Sequence, residues 1–463
     1  MLKSEFDTIA AIATPIGEGG ISVLRVSGTD ALSVVAKLFR GTKDIRTVAT
    51  HTAHVGFLHD LDGNNVDEVV CVVFRSPNSY TGEDVVEISC HGGLLVTRRI
   101  LELIIDSSAI RSAEPGEFTK RSFLNGKMDL AQAEAVADMI HAKSDAARSA
   151  SLHQLQGGLS KEIRAIRNQI IDSVGLLELE LDFAEDGYEL TDKKKVLALV
   201  ENASQKLTDL INSHRKGKLQ KEGAKVVLVG APNVGKSSLL NRLLQENRAI
   251  VTEIPGTTRD VIEESIEIER FVFRLVDTAG LRETADPIEE EGIRRTNAQI
   301  ESADIVLFLI DSSRRTSDIE RTAFSEIKEL ADKEHTQLIL VANKIDLDPE
   351  SKNLNGLANK SIKISATENL GIEELKKRLL SAVAGSRDSI EESTVVSNRR
   401  HVGALESGRQ NLEHAIVSLK DNKPGEFVVL DLRAALDSLG EIIGEVMTDE
   451  ILESVFSKFC VGK

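Results

Sequence analysis

KVVLVGAPNVGKSSLLNRLL, residues 225–244, joins three textures in one stretch. Residues 225–230 form an apolar run of strand length, and from Ser237 onward the spacing of Leu239, Leu240, Leu243 and Leu244 is that of an amphipathic helix. Between them Gly230-Ala-Pro-Asn-Val-Gly-Lys-Ser237 fits G-x-x-x-x-G-K-[ST], in the strand, loop and helix context that this pattern requires. Its glycines let backbone N–H groups approach phosphate oxygens, Lys236 can reach β- and γ-phosphates, and the Ser237 hydroxyl can ligate Mg²⁺. Residues Asn233, Val234, Gly235, Lys236, Ser237 and Ser238 are therefore the expected phosphate contacts.

Downstream, strand-like runs alternate with helical patterns to about Ala384, the habit of a parallel sheet flanked by helices. Three polar signatures follow in the order guanine-nucleotide enzymes use them. Asp277-Thr278-Ala279-Gly280 ends the run FRLV, where Asp277 can hold Mg²⁺ through water and the Gly280 N–H can sense a γ-phosphate. Asn343-Lys344-Ile-Asp346 ends LILVA, and the Asp346 carboxylate can accept the N1–H and 2-amino group that guanine presents and adenine does not. Ser365-Ala366 follows the run KI and offers a backbone N–H to the guanine oxygen. Together the signatures predict GTP binding.

Between the first two lies Thr252-Glu253-Ile254-Pro255-Gly256-Thr257-Thr258-Arg-Asp260, a polar loop suited to folding over a γ-phosphate, with Thr258 as second protein ligand of Mg²⁺. After Gly280 stands Leu281, where Ras-like enzymes carry the glutamine that orients the attacking water. A leucine cannot do that. Asn233 offers a side-chain oxygen suited to a monovalent cation in place of an arginine finger. Glu289, in the acidic run 289–291, offers a carboxylate that could orient water; on the residues alone, a solvated charge run is the stronger reading.

The flanks differ in texture. Residues 1–118 alternate short apolar runs (ISVLRVSG, VVCVVF, VVEISCHGG) with turns and carry a helix pattern over 94–105, which predicts an α+β module. Residues 119–217 and 385–463 read as long amphipathic helices, and the second group is too short to bury a core alone. The expectation is one helical domain split in sequence, with the module 218–384 inserted into it. A chain of 463 residues allows two to four domains. Its 57 basic and 74 acidic residues, net −17, argue against coating nucleic acid by bulk charge. Cys71, Cys90 and Cys460 show neither metal spacing nor a disulfide framework. With no signal-peptide pattern and no uncharged apolar run of membrane-spanning length, a cytoplasmic protein is expected.

The chain ends Phe459-Cys460-Val-Gly-Lys463, and this C-x-G-K terminus, together with the inserted nucleotide module, closely resembles the MnmE (TrmE) family of tRNA modification GTPases. ATPIGEGGISVLRVSG, SYTGEDVVEISCHGG, PGEFTKRSFLNGKMDLAQAEA and PGTTRD carry the same likeness, which covers essentially the whole chain. The resemblance implies a multidomain protein: an α+β N-terminal domain that binds a tetrahydrofolate derivative (5-formyl- or methylene-tetrahydrofolate) and dimerises, an all-α helical domain, and an inserted α/β P-loop GTPase domain. It also implies K⁺-dependent GTP hydrolysis when two such domains meet in the homodimer. With an FAD-containing MnmG (GidA) subunit, in a heterotetramer or larger complex, family members install an aminomethyl or carboxymethylaminomethyl group at carbon 5 of the tRNA wobble uridine. By the same resemblance Arg25, Glu87, Lys127 and Lys463 match folate-contacting positions and Cys460 a cysteine needed for modification. Asn233, Thr252, Ile254 and Thr257 match a potassium site and Glu289 the water-orienting carboxylate. Read without the resemblance, Arg25, Glu87 and Lys127 are ordinary surface charges. A regulatory or ribosome-assembly GTPase without modification chemistry is the competing reading, against which the C-x-G-K end and the folate-like module weigh.

Overall fold

The computed structural model describes residues 7–106, 110–182, 193–247, 263–277, 298–333, 336–350, 352–354, 361–384 and 394–463. The chain divides into two units: Met1–Ala137 with Leu155–Asn168 and Arg433–Lys463, and Asp138–Gln154 with Gln169–Leu432.

The first unit opens with β1 (Ile9–Ile12), β2 (Ile21–Ser27), α1 (Ala31–Leu38), β3 (Phe39–Gly41), β4 (Thr52–His59), β5 (Asn65–Phe74), β6 (Val85–His91), α2 (Leu94–Asp106) and β7 (Arg111–Ser112). Strand order is β3-β4-β5-β6-β2-β1-β7, antiparallel except for the β1/β7 pair. Alternation along β2 sends Leu24 and Val26 into a core shared with Val35 and Leu38 of α1 and Ile100 and Ile104 of α2. Ile9 and Ala11 point to the other face, where Ala113 and Phe118 cover them. Arg25 lies in register with Ala11 on one side and Glu87 on the other, so the three form one cross-strand row.

The helices are α3 (Glu117–Leu124), α4 (Leu130–His141), α5 (Asp145–Leu155), α6 (Gly158–Asp182), α7 (Lys193–Asn212) and α8 (His214–Glu222). The helical pattern 130–155 is broken after His141, and Ser144 restarts it by accepting a hydrogen bond from the Ala147 N–H through its Oγ at 3.1 Å. The domain borders expected after residues 118 and 217 fall inside α3 and α8.

In the second unit come β8 (Ala224–Gly230), α9 (Lys236–Asn247), β9 (Glu263–Ile268), β10 (Phe271–Asp277), β11 (Ile305–Asp311), α10 (Asp318–Lys333), β12 (Gln337–Asn343), β13 (Ile362–Lys363) and α11 (Ile372–Ala384). Strand order is β13-β12-β11-β8-β10-β9, parallel but for the β9/β10 hairpin. All seven residues of β11 are buried, as befits a central parallel strand covered on both faces. Val226 and Leu228 face Leu239 and Leu243 of α9, while Val227 and Val229 face the side on which α10 packs Phe324. The chain leaves β8 towards β10 and then crosses to β11 on its other side, so the carboxyl end of β8 is a topological switch point, the crevice where open α/β sheets bind ligands.

The tail continues with α12 (Arg399–Lys420), α13 (Gly425–Ile443) and α14 (Asp449–Phe456). Helix α12 lies along α7, whose Val196, Val200, Ala203, Leu207 and Leu210 form the buried stripe, and a Lys420–Glu201 ion pair of 2.8 Å closes one end. Thr448 caps α14, which seats Val455, Phe456 and Phe459 against Phe123 and Leu130. The terminus is then held against α3, with Gly116 N–H donating to Cys460 O at 3.4 Å and Phe118 N–H to Lys463 O at 3.2 Å. Gly462, at φ +98°, sits where a Cβ would collide with Ile12 O. No helix among the described residues is long and apolar enough to cross a membrane.

Candidate functional site

The loop from β8 to α9 is shaped by residues that tolerate unusual backbone. Asn233 takes φ +63°, a left-handed conformation that asparagine adopts more readily than most residues. Gly235 has φ +100°, and a Cβ there would land on Asn343 Nδ2. Lys236, 8% exposed, donates its ammonium to the carbonyls of Gly230 (2.9 Å) and Ala231 (3.0 Å), which poises the cation over the loop. Because α9 begins at Lys236, its first-turn N–H groups, including those of Ser237 and Ser238, belong to a positive helix end suited to phosphate.

Asn343, at the end of β12, ties the parts together. Its Nδ2 donates to Val234 O at 2.8 Å and its Oδ1 accepts from the Ala366 N–H at 3.1 Å, while its own carbonyl accepts from the Ser312 N–H and hydroxyl. Of the two amides at Ser365-Ala366, where a backbone N–H for a guanine oxygen is expected, that of Ala366 is engaged by Asn343 and that of Ser365 by Leu370 O at 3.0 Å. One buried side chain fixes the phosphate loop and the 365–366 loop relative to each other. Lys344 follows at φ +65° and pairs with Asp311 Oδ2 at 2.7 Å. Burial pushes the Asp311 pKa up, but hydrogen bonds from Lys344 and Ser313 outweigh it and hold the carboxyl below its ordinary value. Asp346 is exposed on a turn pinned by Leu347 N–H to Lys344 O (3.0 Å) and Ile345 N–H to Ile364 O (3.2 Å).

The structure therefore brings Asn233 to Ser238, Asn343, Lys344, Asp346, Ser365 and Ala366 to the carboxyl ends of β8, β12 and β13. The backbone of Asp277 ends β10, in register with Leu228 beside the same crevice. Thr252, Glu253, Ile254, Pro255, Gly256, Thr257, Thr258, Thr278, Ala279, Gly280 and Glu289 lie outside the described residues. Asp311 was missed by sequence reasoning. Its signal is that it ends the apolar run IVLFLI as Asp277 ends FRLV and Asn343 ends LILVA, which puts a polar side chain on the same sheet edge.

A second polar cluster occupies the first unit. Arg25 donates from Nε and Nη2 to Glu87 Oε1 at 2.9 and 2.7 Å, with its guanidinium carbon 5.0 Å from the Tyr80 ring centre and 5.4 Å from that of Phe118. Its third nitrogen, Nη1, is buried with no partner among the described residues. The Lys463 carbonyl accepts from the N–H of Phe118, the residue whose ring lies beside Arg25, and burial and the Arg25 charge push the Lys463 pKa down against the pull of Glu87. Lys127 donates to Pro77 O at 2.9 Å. Cys460 is exposed.

Residues 8–127 match the family model described as the GTP-binding protein TrmE N-terminus, and residues 130–460 match that of the MnmE helical domain. The chain belongs to the MnmE family of tRNA modification GTPases. The tRNA modification GTPase MnmE of Chlorobium phaeobacteroides is 44% identical over 466 residues, which cover 99% of this chain and 97% of that protein. The MnmE proteins of Aquifex aeolicus and Salinibacter ruber are 43% and 45% identical, each matched over 99% of this chain and 100% of its own length. As a member of the MnmE family the chain is a GTP hydrolase.

Proposed function

We propose that this chain is the GTP-hydrolysing subunit of a cytoplasmic, homodimeric complex that, with an FAD-containing MnmG subunit, modifies carbon 5 of the tRNA wobble uridine. Residues 1–118 are the tetrahydrofolate-binding and dimerisation module, 119–217 and 385–463 a split helical domain, and 218–384 the GTPase domain. One observation carries the reading: the Lys463 carbonyl accepts from the N–H of Phe118 at 3.2 Å, and the ring of Phe118 lies 5.4 Å from the Arg25 guanidinium carbon, so the C-x-G-K end lies at the Arg25–Glu87 pair.

That site fits a pterin carrying a glutamate tail. The Glu87 carboxylate suits a 2-amino-pyrimidine edge, the orphaned Arg25 Nη1 is a buried donor in need of an acceptor, and Lys463 and Lys127 suit the tail carboxylates. The folate derivative, when bound, supplies a one-carbon unit. Arg25 and Glu87 hold and orient it from the sheet, and Phe118 and Tyr80 exclude water from that side. Cys460, four residues beyond α14 and exposed, is the cysteine we assign to the modification. In the GTPase domain Lys236 neutralises phosphate charge. Ser237 and Thr258 hold Mg²⁺, Asn233, Thr252, Ile254 and Thr257 hold K⁺, and Glu289 orients the attacking water.

Mass analysis of wobble uridines tests the whole reading. tRNA from cells lacking the chain is expected to carry unmodified uridine, and Cys460→Ser to fail in restoring the modification while hydrolysing GTP at the normal rate. Restoration by that variant would remove Cys460 from the chemistry. The cation assignment predicts that hydrolysis runs about tenfold or more faster in K⁺ than in Na⁺ at equal ionic strength, since a cation of fitting size neutralises the negative charge of the transition state in place of an arginine finger. Equal rates in the two salts would refute it.

A further inference from the structure

Helix α9 begins at the phosphate loop, yet its middle reaches the base side of the same site. Leu239 and Leu243 bury one face, and the adjacent face presents Arg242 and Glu246, one turn apart. Arg242 donates from Nε to Ala366 O at 3.0 Å and from Nη2 to Thr367 O at 2.8 Å. Glu246 pairs at 2.7 Å with Lys376 of α11, the helix that follows this loop, and the bond holds the Glu246 carboxyl below its usual range. The loop is further closed by reciprocal Ser365–Leu370 backbone bonds of 3.0 and 3.1 Å. Asn343 holds the Ser365–Ala366 peptide through its N–H, and Arg242 holds the next two peptides through their carbonyls.

We infer that Arg242 is a positioning residue for guanine recognition. A trans peptide points its C=O and N–H in opposite directions, so holding the carbonyls of Ala366 and Thr367 towards α9 aims the Thr367 and Glu368 N–H groups away from it, the second onto Ser365 Oγ at 3.2 Å, and fixes the planes of both peptides. Flipping either one would turn a carbonyl oxygen to the opposite side. A base pocket showing a carbonyl repels the guanine O6 acceptor and favours the amino group of adenine. Two charge-assisted bonds from one rigid fork make that flip costly. Arg242 therefore acts on base recognition through the loop, without touching the nucleotide. The inference needs only nucleotide binding and is independent of the modification chemistry proposed above.

Competition against a fluorescent GDP on the full-length chain, with Mg²⁺ present, separates base from phosphate. For Arg242→Ala, GDP affinity is expected to fall about tenfold, chiefly through faster release, while inorganic pyrophosphate, which needs only the phosphate loop, binds within about twofold of the parent. Arg242→Lys, which keeps a cation but loses the fork, should lie between the two. Equal losses for GDP and pyrophosphate would mean that Arg242 merely packs α9 and would overturn the assignment, as would unchanged GDP affinity. If Arg242→Ala does not fold, the same two constants for Arg242→Gln, which retains one donor group, decide by the same criteria.

Discussion

Asp346→Asn is expected to weaken GTP binding by about a hundredfold or more and to raise affinity for xanthosine triphosphate. In the base pocket expected from the sequence the carboxylate accepts two donors from guanine, and an amide in its place turns one acceptor into a donor facing a donor, a mismatch that a filled base pocket rejects strongly. Xanthine carries an oxygen where guanine has its 2-amino group, so the same amide finds an acceptor there. The structure separates this effect from misfolding. Asp346 is exposed, and its turn is held by the backbone bonds of Ile345 and Leu347, so an isosteric amide leaves the turn intact. Asn343 is the contrasting case, because at 2% exposure its side chain joins the Val234 carbonyl to the Ala366 amide and its loss would orphan both. Titrating both nucleotides against parent and variant gives the four constants needed. Undiminished GTP affinity in Asp346→Asn would place the base elsewhere.

The nucleotide module was legible because its strands are buried on both faces. A central parallel strand such as β11 writes itself as an unbroken apolar run, and each such run ends in the polar residue that the crevice uses. Strand β4 was hidden for the opposite reason. Thr52, His54 and Val55 are solvent-facing or partly so, the run THTAHVGFLH has no clean alternation, and pairing with β5 rather than local pattern makes it a strand. The resemblance placed Arg25 and Glu87 at one site, but their pairing was illegible from the residues alone, since 62 residues separate two charges that only the β2/β6 register sets opposite each other. Arg242 belongs to the same class, for nothing in SSLLNRLL distinguishes a helix arginine facing solvent from one holding a distant loop. Motifs record what touches a ligand, whereas the residues that aim those motifs are found only from their contacts.

The PGEFTKR segment shows what such hidden residues are worth. Arg121, its side chain 5% exposed, donates to the Asp7 carbonyl (2.6 Å) and Asp7 Oδ1 (2.8 Å), to both Glu83 oxygens (3.1 and 3.2 Å) and to Glu117 Oε1 (2.9 Å). Arg111 shares Glu117 and Asp7 from β7, so two cations hold three carboxylates where β1, the loop before β6 and α3 converge. Arg121→Met should destabilise the first unit by about 3–5 kcal/mol, because it strands buried carboxylates rather than removing a balanced pair. Hydrogen exchange of the Ile9–Ile12 amides in the full-length chain reads that loss locally. Glu117 adds a pH signature. Burial pushes its pKa up, but Arg111, the Glu114 N–H and Arg121 pull harder and bring it down from 4.5 to about 2. A depressed carboxyl stabilises the fold above the unfolded value of 4.5, and the contribution, about 3 kcal/mol, drains away as pH falls from there towards about 2. Glu117→Gln should therefore be less stable than the parent at pH 7, and the gap between them should close on acidification. A gap that stays constant from pH 7 to pH 3 would mean that the charge on Glu117 contributes nothing, and that the network is held by packing alone.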